Sequence, residues 1–344
     1  MLPVTAVESA KTTSVADKTL YEFPIFGAVY LVDPSEWPPI ALQRFGTPVK
    51  LLKPRVGQTN VQVEGRITRQ AIDVRYTTFT FETDLYPIEQ TPLPKDYLPA
   101  LEGMIHLLRT VARQYWLGLT MANEGAVYQA VRARVESGTV TFDGAGGFST
   151  PFIIRPLDWN AWRFLGDMLE KGYSPSNAEV IISDALLEIR RGSLLNAVML
   201  LGIACEIEVT TLIDQLVSRK SLSNNKRPSI FRETFKTKFL TRTVDLGTSN
   251  PRSAKILHFA TNWADTVCEL YTARNKAAHS GICMIEDDGV LKPLEMRHLP
   301  KLVYAADALL WWANLERHRL GIPPFLTTAM LPGGYPVMGT FVPQ

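Results

Sequence analysis

The stretch ELYTARNKAAHSG, Glu269 to Gly281, places Arg274 and His279 five positions apart, with Asn275 beside the Arg and a Gly soon after the His. These side-chain types could bind a phosphate or move a proton. The apolar spacing Ile256, Phe259, Trp263, Val267, Leu270 predicts a helix running into this motif, and Arg274 continues the same stripe. An Arg in line with a core stripe needs a carboxylate or a bound anion, because burying a lone charge costs roughly several kcal/mol. His279, in the last turn before Gly281, meets the negative end of the helix dipole, which favours its protonated form. That suits an acid or phosphate-binding role near neutral pH.

A carboxylate for Arg274 is available upstream. In SLLNAVMLLGIACEIEVTTLIDQLVSRK, Glu206 lies on the row Met199, Ile203, Glu206, Thr210, Ile213. Glu208 lies on the row Leu201, Ala204, Glu208, Leu212. Both interrupt apolar rows, and either could face Arg274 across a helix pair. Asn275 and His279 share one helix face. On an ideal helix Arg274 points about 140° away from His279. The three converge only if the last turn loosens or if two copies of the motif meet.

The elements that must position these residues are helical. NAEVIISDALLEIRRG reads as a helix stopping at Gly192, and the Leu194 helix is apolar on most sides and therefore central. A basic connector and a shorter helix fill about 221–241. The motif helix is expected to start near Pro251 and to stop at Gly281. PKLVYAADALLWWANLERHRLG is the last helix. Before all of these come strand signals, GAVYLV, VKLLKP, TNVQVEGRIT, AIDVRY and TTFTFETDLY, rich in β-branched and aromatic residues. LPALEGMIHLLRTVA then switches to helical spacing. AVYQAVRARVESG extends the helical section, and GTVTFDGAGG is a strand and turn. PLDWNAWRFLGDMLEKG is a short helix with Asp158 as N-cap and Gly172 as stop.

These signals give an α+β chain. Residues 1–19 are a polar tail, 20–155 a β-rich module with helices, 156–322 a helical bundle and 323–344 a Pro/Gly-rich tail. The module boundary falls between 147 and 177, with the Trp159 helix assignable to either side.

Composition narrows the function class. The 344 residues carry 36 Lys and Arg against 34 Asp and Glu, so net charge does not by itself announce a nucleic-acid binder. Charge is uneven, however. Between Arg219 and Arg242 the cations Arg219, Lys220, Lys226, Arg227, Arg232, Lys236, Lys238 and Arg242 face the single acid Glu233. That run reads either as a solvated face or as a phosphate-contacting patch. The three Cys are far apart and odd in number, which fits reduced thiols of a cytoplasmic protein. No secretory signal is expected, and the apolar run from Leu194 to Val209, broken by two Glu, reads as too short for a bilayer. There is no P-loop, no H-E-x-x-H and no metal-spaced cluster in the sequence.

The pattern Arg274-Asn275-x-x-x-His279 resembles the R-N-x-x-x-H signature of HEPN domains. Its context is similar to the E-L-Y-x-x-R-N-x-x-x-H-x-G form of HEPN proteins in prokaryotic defence systems. The upstream AVMLLGIACEIEVTTLI is similar to an earlier helix of that family, and Glu206 is the best match to its carboxylate. The resemblance covers about 176–321. It implies an up-and-down helical bundle that dimerises and acts as a metal-independent endoribonuclease, a toxin or anti-phage effector without a cofactor. His279 would move a proton, Arg274 would offset phosphoryl charge, Asn275 would hold phosphate or the His, and Glu206 would orient Arg274. Lys226, Arg227, Lys236, Lys238 and Lys276 are the cations expected at the RNA. The resemblance also leaves open a non-catalytic dimerisation or sensing protein, with a regulatory protein or ligand at the N-terminal module. No membrane is expected.

Overall fold

Asp158 and Gly172 act as their types require. The Asp158 carboxylate accepts from Ala161 N at 2.7 Å, and Gly172 takes a left-handed φ of 73° that ends the helix Trp159–Lys171. The computed structural model describes residues 19–26, 29, 31, 36–44, 49–64, 69–83, 97–117, 132–136, 139–143, 151–153, 157–220, 230, 232–256, 262–287, 290–327, 330 and 338–340. It is α+β, with two compact units.

The first unit is built on an antiparallel sheet. Strands β1 (Thr19–Phe26), β2 (Ile40–Leu42), β3 (Val49–Leu51), β4 (Arg55–Glu64) and β5 (Arg69–Thr83) run in the order β1-β5-β3-β2, with β4 also on β5. AIDVRY and TTFTFET form one long strand, paired at its end with β1 through Phe23 opposite Phe79. Of GAVYLV, Val29 lies outside any strand, and Leu31 makes an isolated bridge to Leu157. Phe79 and Phe81 are fully buried and meet Trp162 and Tyr97. Helix α1 (Leu98–Thr110) buries Leu101, Met104 and Leu108. Helix α2 (Trp159–Lys171) lies so close to β2 that a Cβ on Gly166 would come within 2.6 Å of Ile40. β6 (Arg132–Glu136) pairs with β7 (Thr139–Asp143), so RARVE at 132–136 is strand, not the expected helix extension. A partner strand overrides local preference. Because α2 belongs to this unit, the boundary falls after Tyr173 and not at 156.

The second unit is a helical bundle. Ser176 caps α3 (Asn177–Arg190), accepting from Glu179 N at 3.1 Å, and Gly192 ends its turn at φ 76°. Helix α4 (Leu194–Arg219) is central, packing against α3, against α5 (Trp263–Ser280) and against α6 (Leu299–Arg319). The apolar run 194–209 sits inside the 26-residue α4, which by length and composition alone could cross a membrane. In the bundle, however, 56% of its most apolar window is buried against its neighbours. The motif helix starts at Trp263, later than expected. The Asn250 side chain caps only the short turn Pro251–Ser253, and Ala254 is already extended. Of the expected core stripe, Trp263, Val267 and Leu270 are buried, Ile256 lies outside the helix and Phe259 outside the described residues. The excursion after Gly281 is a hairpin of β9 (Met284–Asp287) and β10 (Val290–Pro293). Within the Pro/Gly-rich tail, β11 (Met338–Thr340) pairs with β8 (Pro151–Ile153). The unit also takes in Arg109–Tyr115. There Arg113, buried and at φ 54°, donates to Glu179 at 3.0 Å and to Asp307 at 2.5 Å. The N-terminal tail 1–18 lies outside the described residues.

Candidate functional site

The site begins with a missing side chain. A Cβ at Gly202 would lie 2.7 Å from both Cβ and Cγ of Arg274, so α4 and α5 meet where only Gly leaves room for the Arg stem. One turn further along α4, Glu206 faces the Arg274 head at 3.4 Å. Arg274 Nη1 donates to Asn275 Oδ1 at 2.8 Å, and the guanidinium carbon stands 5.7 Å from the Tyr271 ring centre. Its Nε is buried without an acceptor among the described residues. The guanidinium is therefore held on three sides while staying part-exposed.

The other candidate carboxylate faces elsewhere. Glu208 is buried and pairs with Arg317 of α6, whose Nε also reaches Gln215 at 2.8 Å. Burial pushes the Glu208 carboxyl up, against the downward pull of Arg317. Two acids two positions apart on one helix thus serve different helices.

His279 is exposed in the last turn of α5. Gly281 closes that turn at φ 66°, its N–H donating to Ala277 O at 2.9 Å. The turn stays regular, so Arg274 leans toward α4 while Asn275 and His279 share the outer face. One chain brings Arg274, Asn275 and Glu206 together but leaves His279 apart from the guanidinium.

On that outer face a cleft of about 450 Å³ lies between α5, the turn Phe235–Thr237 and the β9–β10 hairpin. Lys236, Asn275 and Lys276 line it, together with Tyr271, Cys268 and Leu291. Lys238 is a correction. It begins the π turn Lys238–Arg242, where the i to i+5 bond Thr243 N to Lys238 O shifts the register and buries the residue among the helices. Arg242 is taken up by Glu233 and Asp245. Lys226 and Arg227 lie outside the described residues. Sequence reasoning missed Gly202, whose signal was a Gly inside a long apolar helix one turn before the Glu. It also missed the cleft, which depends on the hairpin. Among the described residues no group of His, Cys, Asp and Glu is arranged to hold a metal ion. The chain matches no protein-family model, no curated protein and no solved structure.

Proposed function

We propose that the second unit is a HEPN-like, metal-independent endoribonuclease, acting as a toxin or defence effector in the cytoplasm. The observation that carries this reading is the Arg274 head, fixed by Glu206 at 3.4 Å and Asn275 at 2.8 Å, one turn before an exposed His279. A guanidinium held in place can stabilise charge that develops on phosphoryl oxygens without reorganising. The 2′-oxygen attacks the adjacent phosphorus, a new O–P bond forms, and the bond to the 5′-oxygen breaks. A base takes the 2′-proton, the leaving oxygen gains one, and the product is a 2′,3′-cyclic phosphate. His279 serves one of these proton transfers. Because Arg274 and His279 diverge on their helix, the working site pairs the Arg of one chain with the His of a second in a homodimer. The test is cleavage of RNA by the wild type and by His279→Ala, each with and without chelator. Equal cleavage by both proteins would sink the reading.

The second reading, a non-catalytic HEPN dimerisation or sensing protein, draws on the same divergence. The buried Lys238 and the neutralised Arg242 also thin the basic run that RNA would need.

A further inference from the structure

The cleft beside the motif has features that the motif chemistry does not use. Its volume, about 450 Å³, lies in the range of small-molecule sites. One wall is aromatic: Tyr271 stacks on Phe235 with ring centres 4.4 Å apart and planes 17° from parallel. Met284 and Leu291 of the hairpin also line it, and Leu291 stands 51% exposed. Its acids are not equivalent. Asp265 is paired with Arg252 at 2.8 Å and Glu269 with Lys301 at 3.0 Å. Lys236, Lys276 and Glu286 have no ion-pair partner among the described residues. Asn275 spends its Oδ1 on Arg274, which leaves its NH₂ as a donor.

Apolar walls, two uncommitted cations, an amide donor and one uncommitted carboxylate match the parts of a nucleotide: base, phosphate and base edge. Asn275 and His279 lie about 40° apart around the helix and about 6 Å apart along it. A base seated beside Asn275 therefore leaves its phosphate within reach of the His279 turn. We infer that this cleft receives the RNA nucleotide adjoining the phosphate that is cut, and that Glu286 selects its base. The inference rests on the ribonuclease reading for the word "cut" and on the cleft itself for the nucleotide. A carboxylate accepts two hydrogen bonds side by side, and guanine offers two adjacent donors, N1–H and the 2-amino group. Uracil has carbonyl oxygens flanking its single N–H. Guanine is the base this cleft favours, read on an edge that single-stranded RNA leaves open.

The experiment is fluorescence anisotropy of labelled 2′-fluoro RNA oligomers, which bind but lack the attacking hydroxyl. Wild type is compared with Lys236→Ala and with Thr272→Trp, which fills the cleft. Lys255→Ala, exposed and neither in the basic run nor lining the cleft, is the charge control. Expected is at least a tenfold rise in Kd for both cleft variants, no change for the control, and at least tenfold tighter binding of oligo-G than oligo-U, a gap that Glu286→Gln closes. Unchanged binding in both cleft variants, or no binding by wild type, overturns the inference. So does a guanosine mononucleotide that binds where the oligomer does not. Should Thr272→Trp lose helical circular dichroism, Lys236→Ala alone decides, because its side chain is exposed. If the cleft variants weaken binding while wild type leaves unmodified RNA uncut, the ribonuclease reading falls and the nucleotide site stands.

Discussion

Gly202 and Arg274 touch across two helices at a distance no larger residue allows: a Cβ on Gly202 would lie 2.7 Å from the Arg274 stem. Gly202→Ala should therefore push the guanidinium off Glu206. The cost in stability is about 1–3 kcal/mol, the range for overpacking a filled interior. RNA cleavage should drop with it, although no charged group has been removed. A thermal melt and a cleavage assay on the same sample check both parts.

Removing the polar groups themselves should separate activity from folding. Arg274→Ala and His279→Ala are each expected to lower the cleavage rate by about a hundredfold or more. Arg274 and Glu206 are both part-exposed, so losing their pair should cost less than about 1 kcal/mol. A large fall in melting temperature for Arg274→Ala would instead make the pair chiefly structural.

The two acids of α4 should behave oppositely. Glu208→Ala leaves Arg317 charged and buried, and should cost about 3–5 kcal/mol by urea titration. Glu206→Ala should leave the urea midpoint nearly unchanged yet lower cleavage.

Burial pushes the Cys268 thiol, at the cleft, up to about 11. Its thiolate is then scarce at pH 8, and alkylation should run on the order of a hundredfold slower than for an unperturbed thiol. The rate should climb about tenfold per pH unit between 8 and 10. Mass spectrometry of the alkylated peptide against time reads this directly.

Mixing His279→Ala chains with Arg274→Ala chains should restore part of the lost cleavage. One of the two composite sites in a mixed dimer then has both residues. Activity that persists in a protein monomeric at micromolar concentration would count against the paired arrangement.

Local signals carried much of this structure. Asp158, Gly172, Gly192 and Gly281 are helix ends because their own side chains, or lack of one, make them so. Apolar periodicity offered Glu206 and Glu208 alike as partners for Arg274, and which of them faces it depends on how α4 packs against α5 and α6. What stayed hidden depends on distant chain. Lys238 is buried through a π turn, which breaks the spacing that sequence reading assumes. Residues 132–136 are strand because 139–143 pair with them. The true start of the motif helix was masked by Asn250 and Pro251, good start signals that serve a shorter turn.

Arg113 bears on how the chain could be divided. It reaches the bundle from sequence far ahead of it, and there it pairs with Glu179 and Asp307, two buried acids. A fragment starting at Ser174 would keep both acids and lose their shared cation. Such a piece is expected to melt at a lower temperature than the whole chain. The bundle is thus not a portable cassette: a recombination event that moved it by cutting at the module boundary would deliver an unstable copy, and only one that carried Arg109–Tyr115 along would transplant the whole.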